Sequence, residues 1–389
     1  MSKNEYYTFG HNLFGPFLYG FTKWLRERIV SNGDTKIFFF SRDGYIMQKA
    51  YQLFEEKEPL NLVQSYVYFS RNSLRRGLLW KCRTYEESLQ YLSKERFTVF
   101  AEIVSYYGLT REEVEPLMKE TGAEWNEVSP FENLPKNNKV RKLFETFRET
   151  IEQRSKQQFD TAILYLKQID MRDNCAIVDI GWHGTMQYYL EKLIEFGDID
   201  ARINGYYVGH HSYVPIKGKA EGYVYSQENL KFKDQIRCFF GLGEKLFQSL
   251  EGSTDHYQQL GGEVKAVLKP YEYEDDEIVR ECINFLHSGT LEFVKNGIKA
   301  GLLYSNLSEA FMPLLNFGMN PSYQQTQMFK SFYNTDGGKI YYIPQKALFK
   351  YHPKEFFRAL VNSPWKTGFM KAAFRIPFPY YRIYSFMRR

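Results

Sequence analysis

Residues 174–187, NCAIVDIGWHGTMQ, join a short apolar run to an acid, a glycine-flanked turn and the start of an amphipathic helix. The apolar run at 175–178 predicts a buried strand that stops at Asp179, and the turn from Gly181 to Thr185 follows it. In such a connection the loop and helix amides point at an anion, and the glycines allow the backbone to approach it closely. The stretch therefore predicts an α/β fold with a site for a phosphorylated ligand; an ordinary strand–turn–helix connection is the alternative.

Two further apolar runs, KIFFFSRDG at 36–44 and SYVYFSR at 65–71, end abruptly in polar residues. The polar positions at their ends are Ser41, Arg42, Asp43, Gly44, Ser70 and Arg71. Parallel sheets carry their ligand sites at the carboxyl ends of the strands, and arginine forks match the geometry of phosphate. Together the three strand ends predict one sugar-phosphate pocket in a mainly parallel sheet. The alternative is surface charge at separate strand ends.

The composition is that of a folded protein without the signature of a dedicated metal site. Its 389 residues allow one large domain or two, and its 43% hydrophobic and 25% charged residues are ordinary values. The four cysteines and seven histidines show no metal-ligand spacing, which predicts reduced thiols in a cytoplasmic protein. No signal peptide or bilayer-spanning run is visible, and a net charge of +5 is too small to indicate nucleic acid as a partner.

The hydrophobic periodicity predicts five parts along the chain. They are a first half of the α/β core (1–84), a helical insertion (85–170), a second half of the core (171–260), a helical region (261–350) and a tail (351–389). Within them, helical spacing predicts an opening helix at 12–29, and Thr110 is predicted to cap a helix. Further strands are predicted at 203–208 and 220–225.

The block 239–257, FFGLGEKLFQSLEGSTDHY, mixes a helix with a polar turn. Glu251 and Ser253 in this turn are predicted to line the same pocket from another side, because an acid and hydroxyls suit a sugar ligand. A solvated helix end is the alternative explanation of the same residues.

The tail at 351–389 is basic and rich in aromatic residues. It carries eight lysines and arginines against one acid, Glu355, with ten phenylalanine, tyrosine and tryptophan residues placed between the charges. Such interleaving predicts binding to an anionic membrane surface, where each cation contributes roughly 1 kcal/mol. Nucleic-acid binding and a plain helix docked on the core are the alternatives. Pro377 and Pro379 exclude one long helix and favour a short segment lying on a surface.

Three motifs, FFFSRDGY at 38–45, YFSRNSL at 68–74 and IVDIGWHGTMQ at 177–187, resemble the glycan phosphoribosyltransferase domain of bacterial surface-polysaccharide clusters. The resemblance spans roughly residues 10–260 and implies a phosphoribosyltransferase-like strand–loop–helix site. It also implies transfer of 5-phosphoribose from phosphoribosyl diphosphate, with Mg²⁺, to a lipid-linked glycan in capsule or O-antigen synthesis. A cytoplasmic enzyme, peripheral on the inner face of the membrane, is the implied setting.

The chain departs from this family in two respects. Phosphoribosyltransferases usually carry two adjacent acids, whereas Asp179 is followed by Ile180. The family is often fused to a phosphatase of the haloacid dehalogenase superfamily, but Asp43 lacks the second acid that this chemistry requires at position 45, which is Tyr45. A separate phosphatase partner, or a product that keeps its phosphate, is therefore implied.

The resemblance also implies roles for the residues at the strand ends. Asp179 would hold the ribose hydroxyls, Arg42 and Arg71 would stabilise the leaving diphosphate, and Asp43 would act as general base or as a metal contact. The remaining residues predicted to bind substrate are Ser41, Gly44, Ser70, Gly181, Trp182, His183, Gly184, Thr185, Gln187, Glu251 and Ser253. Two other functions remain as alternatives: a sugar-phosphate hydrolase, and a non-catalytic membrane scaffold for polysaccharide enzymes.

Overall fold

The computed structural model of the chain describes residues 3–92, 97–335 and 338–388, with side chains as far as residue 386. Its strands are β1 (Lys36–Phe40), β2 (Val63–Val67), β3 (Phe97–Val99), β4 (Val128–Pro130), β5 (Asp173–Trp182), β6 (Ala201–His210), β7 (Ala220–Tyr225), β8 (Thr254–Leu260), β9 (Glu263–Leu268), β10 (Tyr333–Asn334) and β11 (Ile340–Tyr341).

The helices vary widely in length, and a π-helical turn at Gly10–Phe14 precedes the second of them. They are α1 (Lys3–Phe9), α2 (Gly15–Asn32), α3 (Gly44–Glu55), α4 (Arg71–Arg75), α5 (Tyr85–Leu89), α6 (Phe100–Tyr106), α7 (Arg111–Thr121), α8 (Asn138–Thr146), α9 (Arg148–Gln168), α10 (Thr185–Phe196), α11 (Lys233–Arg237), α12 (Phe240–Phe247), α13 (Glu277–Ala300), α14 (Leu307–Met319), α15 (Tyr323–Met328), α16 (Pro353–Asn362), α17 (Lys366–Phe374) and α18 (Tyr380–Arg388). Short 3₁₀ turns occupy Arg76–Lys81, Phe131–Lys136 and Leu348–Lys350.

Five strands form one parallel sheet in the order β2-β1-β5-β6-β7. The prediction of an α/β fold around a mainly parallel sheet is confirmed, and a long helical region follows it, as expected from the periodicity beyond residue 275. Because all five strands run the same way, their carboxyl ends share one edge. The pairing aligns Phe40 of β1 with Val67 of β2, and Phe39 of β1 with Val178 of β5.

Both faces of the sheet are covered, which explains the uninterrupted apolar run of β1. Ile37 and Phe39 belong to a core built with α1, α2, α3 and the C-terminal helices. Phe38 and Phe40 point the opposite way, into a second core built with α9, α10 and the segment before them. A strand buried on both faces needs apolar side chains at successive positions, which is the pattern of KIFFF.

The region between β2 and β5 is mainly helical but not entirely so. Thr110 caps α7 as predicted: its hydroxyl accepts from the Glu113 amide, and its own amide donates to the Glu113 carboxylate in a capping box. The residues FTV at 97–99, which were expected to be helical, instead form β3, paired antiparallel with β4. A run of three residues is too short for periodicity to distinguish a strand from the first turn of a helix.

Two strand boundaries and one hairpin differ from the sequence-based expectations. β2 ends at Val67, earlier than the predicted end at residue 71. β5 does not stop at Asp179 but continues to Trp182, because Gly181 and Trp182 still pair with β6 while their backbone is left-handed. The hairpin of β8 and β9 was not predicted, since its polar strands lack the alternation that marks a half-buried strand.

The tail forms three short helices and does not lie wholly on the surface. Trp365 is fully buried, and Phe369, Tyr380 and Tyr384 are nearly so, which shows that one side of the tail is docked on the core. Arg389 and the side chain of Arg388, both counted among the basic residues of the tail, lie outside the described residues. No helix in the described ranges has both the length and the apolar character needed to cross a bilayer.

The docking of Trp365 predicts a large loss of stability on its removal. Its indole Nε1 donates a hydrogen bond of 2.9 Å to the Gly318 carbonyl, and its ring packs on Phe317 at 5.1 Å between centroids. Trp365→Ala is expected to lower the free energy of unfolding by about 3–5 kcal/mol, because it leaves a large cavity and an unpaired carbonyl. Urea unfolding measures this change, and Phe357→Ala, at an exposed position of the same tail, is the control. Equal midpoints for the two variants would contradict the docking.

Candidate functional site

The ends of β1 and β2 are tied together by the turn that follows β1. The Ser41 amide donates to the Val67 carbonyl at 2.8 Å, and the Ser41 hydroxyl donates to the Phe69 carbonyl at 3.1 Å. Gly44 opens α3, where a Cβ atom would lie 3.0 Å from the Phe39 backbone, so this position has little room for a side chain. The polar residues 41–44 are therefore held at the sheet edge by backbone contacts.

Arg42 adopts a left-handed backbone with a φ of 72°, which is costly for a residue with a side chain. Several contacts hold it there. Its amide donates to the Tyr66 hydroxyl at 2.7 Å, and its carbonyl accepts the Ser249 amide at 3.0 Å. The Tyr66 hydroxyl in turn donates to Glu251, and the Arg42 guanidinium bonds to Glu272 at 3.2 Å. Glu251 is thus linked to the end of β2 through Tyr66, and its predicted role in binding substrate stays a prediction.

The end of β5 contains a second left-handed residue that is not glycine. Trp182 has a φ of 78° and follows Gly181, whose φ is 95°. Gly181 is required here, because a Cβ atom would lie 2.6 Å from the Cβ of Tyr207 on β6. The Trp182 indole donates to a carboxylate oxygen of Glu244 at 3.0 Å, which brings α12 over the strand end. Strained backbone at two neighbouring strand ends is typical of functional sites.

Three carboxyl groups, those of Asp43, Asp179 and Glu244, meet at this edge. Burial raises the pKa of Asp43 well above its ordinary range, and the charges of Asp179 and Glu244 raise it further. Burial raises the pKa of Asp179 to about 6, although amide hydrogen bonds and the nearby Arg71 favour its charged form. Burial also raises the pKa of Glu244. As whole residues the three are half-buried, although their carboxyl groups lie deep enough for burial to dominate their pKa values.

The arrangement suits a cation that arrives with a ligand better than a resident metal ion. Across the described residues, no group of three histidine, cysteine, aspartate or glutamate side chains is placed to hold a metal. Asp43 stands at the N-cap of α3 and makes no capping hydrogen bond with its carboxylate. Mg²⁺ bound through phosphate oxygens needs only one or two protein carboxylates, and a cation would relieve the repulsion between Asp43 and Asp179.

The start of α10 offers hydrogen-bond donors for an anion. Gly184 occupies the N-cap with a φ of 70° and supplies no side-chain cap, so the first amides of the helix, from Thr185 onward, have no capping side chain. The imidazole Nδ1 atoms of His183 and His210 are buried there without a partner among the described residues. Burial, together with the nearby charge of Arg237, lowers the pKa of His183 to about 4. Neutral imidazoles and nearby cations suit a phosphate group.

The other residues predicted to bind substrate lie around this site with different roles. The Ser70 hydroxyl caps α4 and donates to the Thr254 carbonyl at 2.5 Å, while Arg71 is exposed on the first turn of α4. The Ser253 carbonyl accepts the Lys269 amide at 2.9 Å. These bonds fasten the strand that starts at Thr254 to the end of β2, so Ser70 and Ser253 order the loops at the site.

Gln187, which was predicted to bind substrate, lies away from any open surface. Its side chain is fully buried. Its amide oxygen accepts the Tyr207 hydroxyl at 2.8 Å, and its amide nitrogen donates to Glu191 at 2.9 Å and to the Lys219 carbonyl at 3.0 Å. Because these bonds satisfy its polar atoms, Gln187 supports β6 and does not line the site.

Sequence reasoning missed four residues that shape the site. Glu244, Lys245 and Glu272 were read as parts of helical and polar segments, and Tyr66 as an ordinary strand aromatic. Lys245 is buried, pairs with Glu272 and donates to Gln248 at 2.9 Å. The adjacent charges Glu244 and Lys245 inside the apolar run FFGLGEKLF were the available signal, since buried charges need partners.

A separate groove of about 580 Å³ lies between α3 and α13. It is lined by Lys49, Gln52, Leu53, Glu56, Leu291, Glu292, Lys295, Asn296 and Lys299. Most of these side chains are exposed and of mixed charge, and none belongs to the strand ends. The carboxyl edge of the sheet therefore stays the candidate site.

Comparison of the chain with protein-family models and with curated protein sequences gives no match. The function proposed below is argued from the geometry of the strand ends and from the resemblance of the three motifs.

The raised pKa of Asp179 predicts a pH-dependent gain in stability for Asp179→Asn. The folded-state pKa of about 6 exceeds the ordinary value of 3.8, so the folded protein binds more protons than the unfolded chain between these values. Stability is therefore lost as the pH rises through this window. Asparagine carries no charge, so the variant should be about 1–2 kcal/mol more stable than the parent at roughly pH 8, with a smaller difference at roughly pH 4.

Urea unfolding at both pH values, with a chelator present, measures this difference. Asp200→Asn is the control, because Asp200 is an exposed acid at the opposite end of the sheet, just before β6. An equal effect of Asp179→Asn at the two pH values would contradict the electrostatic explanation.

Proposed function

We propose that the chain is a phosphoribosyltransferase that transfers 5-phosphoribose from phosphoribosyl diphosphate to a hydroxyl group of a glycan. One observation carries the proposal: Asp43, Asp179 and Glu244 meet beside Arg42 where two adjacent parallel strands end. The start of α10 follows the end of the same strand that carries Asp179. A donor with a 5-phosphate, a ribose ring and a diphosphate needs amides for the phosphate, carboxylates for the ribose hydroxyls and cations for the diphosphate.

We assign each chemical group of the donor to residues at the strand ends or at the start of α10. The amides of Gly184 and Thr185, with the Thr185 hydroxyl, would bind the 5-phosphate at the start of α10. The His183 amide, also predicted for this role, already donates to the Gly181 carbonyl at 3.3 Å. Asp179 would accept hydrogen bonds from the ribose hydroxyls. Arg42 would stabilise the departing diphosphate. Its guanidinium is already near the site, where it bonds to Glu272.

In this proposal Mg²⁺ enters the site bound to the diphosphate of the donor. It would stabilise the negative charge of the leaving group. Arg71 would be a further cation beside the diphosphate, and Asp43 is assigned the general-base role and not the metal contact. The resemblance of FFFSRDGY and IVDIGWHGTMQ to phosphoribosyltransferases of polysaccharide clusters supports this choice of donor.

The chemistry assigned to the site is an inverting substitution at C1 of ribose. The bond from C1 to the diphosphate oxygen breaks and a bond from C1 to the acceptor oxygen forms. The acceptor proton moves to Asp43, whose raised pKa makes its carboxylate a better base than an ordinary aspartate. Positive charge on the ring during this step is stabilised by the neighbouring Asp179 and Glu244. Attack opposite the leaving group converts the α-linked donor into a β-ribofuranosyl 5-phosphate product.

The proposed setting is the assembly of capsule or O-antigen polysaccharide in bacteria. A lipid-linked glycan would be the acceptor, which places the enzyme in the cytoplasm, peripheral on the inner face of the membrane. A separate phosphatase would remove the 5-phosphate where the polymer carries plain ribofuranose. The basic aromatic tail supports the membrane location, because its charges complement anionic lipids.

Donor binding is the test of this function. Calorimetric titration is expected to show binding of phosphoribosyl diphosphate that strengthens with Mg²⁺ and exceeds that of ribose 5-phosphate. Asp179→Asn should weaken it by roughly tenfold or more, because the lost acceptor leaves ribose hydroxyls unpaired. Asp200→Asn is the matched control, with binding equal to the parent.

Binding of a nucleotide sugar in preference, or no binding of phosphoribosyl diphosphate by the folded parent, would overturn the proposal. Unchanged affinity and turnover in Asp179→Asn would remove Asp179 from the donor site.

Asp43→Asn separates proton transfer from metal contact. We expect donor affinity in Mg²⁺ close to that of the parent and a turnover lower by about 10²-fold or more, because a general base is lost. Release of diphosphate in a coupled assay, with water as a slow acceptor, measures this turnover without knowledge of the glycan. A loss confined to Mg²⁺-dependent affinity would instead assign Asp43 to the metal.

A further inference from the structure

Exposed phenylalanine is concentrated at the C-terminal end of the chain. Of the six exposed phenylalanines among the described residues, five lie between 349 and 386. The exposed fraction reaches 85% for Phe349, 61% for Phe357 and 80% for Phe386. Single exposed apolar residues are common on proteins, but a group of them in one segment marks an interaction surface.

The tail presents these rings from a rigid support. Trp365, Phe369, Tyr380 and Tyr384 are buried on the core side of α17 and α18. The Thr367 hydroxyl adds a hydrogen bond of 2.6 Å to the Gly318 carbonyl. Because one side is fixed, the opposite side faces outward in a defined orientation, and ordering it on a partner costs little conformational entropy.

Two neighbouring parts make up this outward surface. The turn at 374–379, FRIPFP, is exposed at every position, and Pro377 and Pro379 restrict its backbone. On α16, Phe357 and Val361 line a groove of about 460 Å³ together with Lys354 and Arg358. Phe356 joins the two parts, because its ring contacts Phe374 at 5.8 Å between centroids. We call this combined surface the tail face.

The charge of the tail face is almost purely positive. The segment 351–389 has eight basic residues and one acid. That acid, Glu355, pairs with Lys346 at 2.7 Å, a lysine outside the segment. Arg375 lies over the Tyr323 ring at 4.9 Å, which holds the turn against α15. The occupant of this surface must therefore be both anionic and able to accept apolar side chains.

We propose that the tail face binds an anionic lipid bilayer, with Phe357, Phe374, Ile376 and Phe378 entering the interface and Lys354 and Arg358 meeting the headgroups. The proposal deepens the membrane location given above and uses no residue of the donor site. Short helices with apolar rings and flanking cations lie in the boundary between headgroups and acyl chains.

Other occupants fit the surface less well. A second copy of the chain would bring two positively charged faces together, which costs free energy. Nucleic acid would use aromatic rings for stacking, but the aliphatic side chains of Val361 and Ile376 on the same face gain free energy only by leaving water. A bilayer satisfies the aromatic, aliphatic and cationic groups at once.

The test uses the full-length protein and vesicles of phosphatidylcholine with and without phosphatidylglycerol. Deletion of the tail is unsuitable, because it removes Trp365 from the core. The double variant Phe357→Ser with Phe378→Ser is expected to lower the vesicle partition coefficient by ~10-fold or more. Lys354→Gln with Arg358→Gln should lower it by roughly fivefold per cation, and only on the anionic vesicles.

The matched control is Ile278→Ser with Leu303→Ser, which removes two equally exposed apolar side chains far along the chain from the tail. It should bind vesicles as the parent does, and all variants should unfold at the parent's urea midpoint. Equal loss in the control, equal binding to both vesicle types, or a change of oligomeric state in place of vesicle binding would overturn the proposal.

Calorimetric titration of the tail variants with phosphoribosyl diphosphate separates the two proposals. Vesicle binding lost with donor binding kept is the expected result. Vesicle binding by a parent protein that ignores the donor would support the tail face and reject the donor site.

Discussion

The parallel pairing of β1 with β5 is the constraint on which the site depends. It brings two segments far apart in sequence to neighbouring positions and fixes the end of β1 level with Asp179. Both strands pack into a core on each face, so a shift of one residue would move every side chain into the opposite core, where it does not fit the packing. Because the pairing of the strands is fixed, the polar residues that follow the strand ends also have fixed positions. Asp43 and Asp179 are close neighbours because the cores leave no other pairing.

Burying carboxyl groups close together at the strand ends costs free energy of folding. Contacts from the surrounding residues offset part of this cost. Three carboxyl groups whose pKa values are raised by burial oppose folding at neutral pH. Two residues in left-handed backbone add strain, which is held by contacts from outside the turn such as Tyr66 on Arg42. A protein keeps such features where binding a ligand relieves them, since stability and function make opposing demands at a site.

Much of the sheet was predictable from sequence, and the reason is local. β1, β5, β6 and β7 are runs whose apolar character and polar ends mark them without any tertiary information. Glu244 and Glu272 were not predictable in the same way, because α12 and the loop before α13 reach the strand ends only through tertiary packing. The left-handed backbone of Trp182 also escaped prediction, since tryptophan seldom adopts it and tertiary contacts with β6 and Glu244 maintain it.

The tail also shows a limit of prediction from sequence. Its composition indicated a surface segment, but composition does not tell which of two aromatic faces is docked. Trp365 lies in the core with Phe317 and Phe329, whereas Phe357, a few residues earlier, is exposed. A helix of nine or ten residues divides its side chains between core and solvent according to what the remainder of the fold leaves uncovered.

The contact between the two ends of the chain has a consequence for its synthesis. Phe9 packs on Phe317 at 4.8 Å between centroids, and Tyr6 lies against Phe332. The first core therefore cannot close while the ribosome is still making the second half of the chain. Glu272, which bonds to Arg42, is likewise a late residue. This core of a nascent chain should therefore stay incompletely folded until Phe332 has left the ribosome.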